Sequence, residues 1–144
     1  MGGTTAKLTL IDGLQPQYGR TFEVARAYRF LKGSGLPLRI PVIDMVEIGA
    51  GGGSIARVDG LKRINVGPDS AGSDPGPACY AAGGTEPAVT DGDVVLGRID
   101  PANFAGGKIV LDAAAAEKAV ADNIAAALGM DTATAAAGIA EIVD

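Results

Sequence analysis

The sequence predicts an α/β chain in which strands and glycine-rich loops come first and helices close the end. Three observations carry that expectation. Residues 1–111 hold most of the 22 glycines, all 8 prolines and nearly all the β-branched runs. Residues 113–144 contain 14 alanines and no proline, which is the composition of helix. A hydrophobic fraction of 47% with 20% charged residues is that of an ordinary globular chain and argues against disorder. One incomplete domain over 1–144 is expected, with strands and loops over 1–111 and helices over 112–144.

The elements follow in order. Ala6 to Ile11 is β-prone at Leu8, Leu10 and Ile11 and ends at Asp12-Gly13, so it reads as a strand. Thr21 to Leu31 is open between strand and short helix, because its periodicity fits neither cleanly. Gly33-Ser34-Gly35 with Pro37 and Pro41 marks an extended connection. Pro41–Ile48, Ser54–Asp59 and Leu61–Val66 read as three strands of an antiparallel meander broken by glycines. Residues 67–90 form a long loop, and loops of that length in a compact domain are usually functional. Thr90 is placed to cap a short helix from Asp91 to about Arg98. Asp112 caps a longer one whose Ala116, Val120, Ile124 and Leu128 repeat at i+4, with Gly129 at its end. Asp131 or Thr132 starts a last helix with Ile139, Ile142 and Val143 facing inward.

Composition also excludes chemistry. With no His there is no Ser-His or Cys-His nucleophile pair and no His-ligated zinc. A net charge of −5 leaves no basic surplus for duplex phosphates, so nucleic acid is not an expected partner. Cys79 stands alone, which forbids an internal disulfide and reads as a buried structural thiol. No apolar run approaches membrane-spanning length, and a cytoplasmic setting is expected.

Two loops are candidate sites. In Gly2-Gly3-Thr4-Thr5 the glycines let the backbone approach a ligand, successive N–H groups can cradle an anion, and two hydroxyls can donate to phosphate. The same four residues also suit a plain tight turn. Gly49-Ala50-Gly51-Gly52-Gly53-Ser54 lacks the Lys and the following helix of a Walker loop. Its glycine density implies close approach to a ligand or to another backbone. Asp44 and Glu47, three apart on a strand, face opposite sides and form no acid/base pair there. Asp91 and Asp93 serve a helix start.

Taken in order, a series of motifs resembles the hydantoinase A / 5-oxoprolinase family, with its related subunits of ATP-dependent acetone and acetophenone carboxylases. They are Met1-Gly2-Gly3-Thr4-Thr5, Ile43-Asp44, Ile48-Gly49-Ala50-Gly51-Gly52-Gly53-Ser54-Ile55-Ala56 and Val66-Gly67-Pro68. Ser70-Ala71-Gly72, Pro75-Gly76-Pro77-Ala78-Cys79-Tyr80 and Gly83-Gly84 continue the series. Thr90-Asp91, Leu96-Gly97-Arg98 and Phe104-Ala105-Gly106-Gly107 complete it.

The resemblance implies a partial ribonuclease-H-like lobe of the actin-like ATPase type, with a β-meander and glycine-rich insertion and C-terminal helices. It implies ATP and Mg²⁺ as cofactors of a longer parent enzyme and a small-molecule substrate of the hydantoin, 5-oxoproline or ketone class. It further implies a second subunit of the hydantoinase B type. Gly2, Gly3, Thr4 and Thr5 would bind phosphate, Gly51, Gly52, Gly53 and Ser54 would form a second ligand-proximal loop, and Asp44 is a candidate metal ligand. The expected function is a segment of an ATP-dependent ring-amide hydrolase, with a carboxylase-type ATPase subunit and a non-catalytic interaction module as rivals. Lys7 resembles the carboxylase branch. Relatives carry His at the position of Val46, and an Asp just before the residue matching Met1. They also carry Gly at the position of Ala81, where a left-handed backbone is therefore in question. The isolated chain is expected to leave ATP unhydrolysed and to self-associate through an unpaired edge of the strand Ala6–Ile11.

Overall fold

A computed structural model describes residues 2–25, 27–28, 31 and 33–143, with Glu47 and Ile48 described by backbone alone. The chain divides into two compact units, Lys7–Glu47 and Met1–Ala6 with Ile48–Asp144.

The unit Lys7–Glu47 is built from very short strands. They are β1 (Ala6–Leu8), β2 (Ile11–Asp12), β3 (Gln15–Pro16), β4 (Tyr18–Gly19), β5 (Phe22–Val24), β6 (Leu36–Leu38), β7 (Val42–Ile43) and β8 (Val46–Ile48). They associate only in pairs: β1 with β8, β2 with β3, β4 with β7 and β5 with β6. Thr21–Leu31 thus contributes a strand at its start, Phe22 lying opposite Leu38. The expected strand Pro41–Ile48 is broken, since Asp44 gives its N–H to Gln17 (2.7 Å) and its carbonyl accepts from the Thr9 hydroxyl (2.7 Å). Ala6–Leu8 pairs with β8 in a two-stranded sheet, which covers one edge of β1 and leaves its other edge without a strand partner among the described residues.

The other unit holds the core. Every buried hydrophobic residue among those described falls between Ala50 and Ala140. Strands β9 (Ser54–Val58) and β10 (Ile64–Ser70) form an antiparallel hairpin, with Ile64 opposite Val58 and a register shift between Val66 and Ser70. The expected meander is therefore two strands, since β8 pairs with β1 instead of β9. Strand β10 begins later than expected because the Asp59 carboxylate organises a turn over Gly60–Lys62, taking the Leu61 and Arg63 N–H groups at 2.8 and 2.9 Å.

Helix α1 (Val89–Val95) starts two residues before its expected position, with Ala88 as N-cap. The cause is Asp91, whose carboxylate reaches back to the Ala88 N–H (2.8 Å) and fixes the first turn from its third position. Helix α2 (Ala113–Val120) is capped by Asp112, which accepts from the Ala115 N–H at 3.0 Å. It runs on through a widened turn, Ala121–Ala125, into α3 (Ala126–Leu128), and Gly129 ends it with φ +67°. At the widening, the Asn123 amide donates to the Ala119 carbonyl (2.8 Å), the acceptor its own N–H would use in a regular α-helix. Helix α4 (Thr132–Glu141) is capped by Asp131 through the Thr134 N–H at 2.9 Å.

The helical stripe is core. Val120 and Ile124 pack with Ala56, Val89, Ala125, Ala135, Ala136 and Ile139, and Leu128 flanks them. Small residues let the helices approach, Gly92 of α1 lying 3.6 Å from Ile139 of α4 when measured from the Cβ it lacks. Ile142 departs from its expected inward position and is 49% exposed, beyond the last turn of α4. A smaller cluster joins Cys79, Val94, Leu111 and Ala116. No helix among the described residues is long and apolar enough to cross a membrane.

Candidate functional site

The two glycine loops found in the sequence meet. Gly52 and Gly53 donate their N–H groups to the Gly2 and Gly3 carbonyls at 2.9 and 2.6 Å, so the loops are laced backbone to backbone. Gly51 is required by that approach. A Cβ there would sit 2.6 Å from the Gly2 oxygen and 2.7 Å from the Thr4 and Thr5 nitrogens, all backbone atoms that cannot swing aside. The Gly51 N–H is taken by the buried Ser54 hydroxyl at 2.9 Å, and the Ser54 N–H returns to the Gly51 carbonyl at 2.9 Å. Gly2–Thr5 closes its own turn through the Gly2 N–H and the Thr5 carbonyl at 3.0 Å.

The two loops therefore divide their roles. Gly51, Gly52 and Gly53 spend their N–H groups on the protein. Thr4 is exposed and Thr5 half-buried, and among the described residues neither hydroxyl is taken by a protein acceptor.

Three further segments complete the surroundings. Thr90, the second residue of α1, joins its N–H and its hydroxyl to the Gly52 carbonyl at 2.9 and 2.8 Å. Gly53 accepts from the Ala71 N–H at 2.8 Å, tying in the stretch after β10. The fully buried Asp91 accepts from the N–H groups of Ala78 (3.1 Å), Cys79 (2.8 Å) and Ala88 (2.8 Å), so one carboxylate fixes both ends of the loop 78–88. That charge-assisted set satisfies the carboxylate without a cation.

Together these segments line an open cleft of about 350 Å³, formed by Gly2, Gly3, Gly52, Gly53, Gly72, Pro77, Tyr80, Thr90, Asp93, Ile99 and Phe104. Sequence reasoning singled out four of its five glycines, at 2, 3, 52 and 53, as ligand-proximal. It missed Thr90, read there as a cap, and Asp93, read there as serving the helix start. It also missed the aromatic pair Tyr80–Phe104, whose ring centroids are 5.9 Å apart at 50°. For Thr90, Tyr80 and Phe104 the one signal was their membership of the ordered motifs, and Asp93 carried none.

Cys79 is fully buried, and burial first, then the Asp91 charge, pushes its thiol far above the ordinary range, so it is no nucleophile. Ala81 takes a left-handed conformation, φ +54° and ψ +24°, although it is not glycine. Asp44 is exposed in the other unit, and among the described residues no three His, Cys, Asp or Glu side chains gather to hold a metal.

The family model for hydantoinase/oxoprolinase matches residues 1–144. The acetophenone carboxylase gamma subunit of Aromatoleum aromaticum is 53% identical over 108 residues, which are 74% of this chain and 15% of that subunit. The crystal structure of the ATP-dependent caprolactamase from Pseudomonas jessenii matches with a TM-score of 0.76 and 38% identity, over 99% of this chain and 19% of that one. The nucleotide-free structure of acetone carboxylase, from work on ATP-dependent acetone carboxylation, matches with a TM-score of 0.75 and 32% identity, again over 99% and 19%. The chain thus spans less than a fifth of these relatives.

Proposed function

Because the chain belongs to the hydantoinase/oxoprolinase family, we propose that it is a segment of an ATP-dependent enzyme coupling ATP hydrolysis to opening of a ring amide. One observation carries the reading: the lacing of Gly2–Thr5 onto Gly51–Ser54 at the wall of a cavity. In it Gly2, Gly3, Thr4 and Thr5 bind phosphate, the hydroxyls of Thr4 and Thr5 donating. Gly51, Gly52, Gly53 and Ser54 hold that loop in place, and Gly52 and Gly53 line the cavity beside it. The fold is read as an incomplete second lobe of an actin-like ATPase, one domain of a larger cytoplasmic enzyme.

Mg²⁺ would accompany the nucleotide and neutralise its phosphates. It is bound mainly by phosphate oxygens and water with one or two carboxylates. Asp44 is the carboxylate the sequence offers. Relatives named as subunits support a second polypeptide in the assembly, read as one of the hydantoinase B type.

A carboxylase-type segment is the second reading, favoured by the 53% identity to the acetophenone carboxylase subunit. The test is ATP consumption by the full-length parent with hydantoin, 5-oxoproline or caprolactam, and with acetone plus bicarbonate. Consumption stimulated by a ring amide supports the first reading and stimulation by ketone plus bicarbonate the second. No ATP consumed under any condition overturns both.

A further inference from the structure

The unit Lys7–Glu47 carries its apolar residues outward. Fourteen of its described large apolar side chains are exposed and none of its described residues is buried. The longer unit exposes four among its described residues, Leu61, Ile109, Val110 and Ile142. A single exposed apolar residue is ordinary, but a segment without one buried side chain has no core to hold it. Two-stranded ribbons, the only sheets among the described residues, are marginal in water until a hydrophobic face is covered.

The register of β5 and β6 defines such a face. Phe22 lies opposite Leu38 and Val24 opposite Leu36, and cross-strand partners share a side, as do residues two apart on one strand. Phe22, Val24, Leu36 and Leu38 therefore form one apolar face, with Phe22, Leu36 and Leu38 exposed. Glu23 and Pro37 take the other side, where the Glu23 carboxylate accepts the Gly33 N–H at 2.7 Å. We propose that this four-residue face is the docking surface for polypeptide of the same parent chain outside residues 1–144. That polypeptide packs face-on, through apolar side chains rimmed by carboxylates.

Length, mode of contact and charge choose that occupant. In the caprolactamase and acetone carboxylase structures more than four fifths of the chain lies outside the match, which still covers 99% of residues 1–144. A segment of the same chain acts at an effective concentration that a free partner seldom reaches. Pro16 within β3 and Pro37 within β6 have no N–H to give a further strand, which disfavours edge-to-edge pairing with a second copy. Residues 7–47 carry 6 basic and 4 acidic side chains, against 6 and 13 in the remainder. Arg20 and Arg39, close in sequence to Phe22 and Leu38, are exposed and make no ion pair among the described residues. A second copy of the face would bring like charges together, whereas carboxylates at the rim of the occupant match them.

The experiment uses the full-length parent with the photo-crosslinker p-benzoylphenylalanine in place of Phe22 or, separately, of Leu36. Each protein is illuminated alone and together with any subunits that copurify with it. The expected product runs at the mass of one parent chain, with the crosslinked peptide mapping outside residues 1–144. A product of twice that mass puts a second copy on the face, and one at the summed mass of two different subunits puts another subunit there. Either overturns the assignment, as does a crosslink confined to residues 1–144 or no crosslink at all. Hydroxyl-radical footprinting of the wild-type parent covers the case of a variant that fails to fold. Phe22 and Leu36 should be oxidised roughly tenfold more slowly in the native parent than in urea, as side chains sheltered from water are. That protection should persist on serial dilution. Equal oxidation in the two states, or protection lost on dilution, overturns the proposal. The outcome does not depend on which reaction the parent catalyses.

Discussion

The Gly52 carbonyl receives both polar hydrogens of Thr90, the hydroxyl at 2.8 Å and the backbone N–H at 2.9 Å. A single oxygen thus couples the second glycine loop to the first turn of α1. Thr90→Val keeps the shape and the backbone bond and removes the hydroxyl. Thermal unfolding of the variant should show a loss of about 0.5–1.5 kcal/mol, a fall in Tm of a few degrees. An unchanged Tm would mean the hydroxyl contributes nothing at this junction.

Glycine should be indispensable at 51 and dispensable at 60. A Cβ at Gly51 meets three backbone atoms within 2.7 Å, whereas at Gly60 it meets nothing within 4 Å. Gly51→Ala should cost about 1–3 kcal/mol in urea unfolding, and Gly60→Ala should be neutral or stabilising by up to about 1 kcal/mol. Equal effects at both positions would refute the close-approach argument.

Ala81→Gly is expected to stabilise. Ala81 holds φ +54°, where an L-residue with a Cβ carries a strain of about 1–2 kcal/mol. Glycine removes the strain and adds unfolded-state freedom of about 0.4–1 kcal/mol, leaving a net gain of up to about 1.6 kcal/mol. Denaturant midpoints of the two proteins measure the difference directly.

The turn after β9 should respond to acid. The Arg63 backbone N–H, the Arg63 side chain, Asn65 and the Leu61 N–H hold the Asp59 carboxyl down to about 2. Its folded value lies below the unfolded value of about 3.9, so its stabilising contribution is complete above that value and vanishes as pH falls through about 2. Asp59→Asn should flatten the stability-versus-pH curve between about pH 4 and pH 2 relative to wild type. Parallel curves would show that Asp59 contributes nothing to acid sensitivity.

Phosphate binding by Thr4 is tested in the full-length parent. Thr4→Val should slow ATP hydrolysis roughly tenfold or more, matching loss of a hydrogen bond to a charged group of about 1.5–3 kcal/mol. Normal kinetics with normal stability would leave residues 2–5 as a turn.

The helices were legible because their signals are local. Asp112, Gly129 and Asp131 carry their caps in their own side chains or backbone freedom, and the i+4 stripe lies within one helix. Helix α1 was displaced because two local signals competed. Thr90 is a good capping residue, yet its hydroxyl is used on Gly52, 38 residues away, while Asp91 fixes the start from inside. The strands of residues 7–47 were mostly illegible, since two- and three-residue pairings such as Tyr18 opposite Ile43 depend on partners no local pattern names. The site was half legible. Glycine density marked each loop, but nothing at residues 2–5 says which of the later loops they meet.

The lacing of Gly2 and Gly3 to Gly52, Gly53 and Thr90 consists only of amides and one alcohol, with no acid or base among the bonded groups. Protonation therefore has no direct purchase on these bonds. Acid that releases Asp59 and loosens the neighbouring hairpin leaves this fastening untouched. Any response of this junction to pH must consequently come from ionisable side chains beside these bonds and not from the bonded groups themselves.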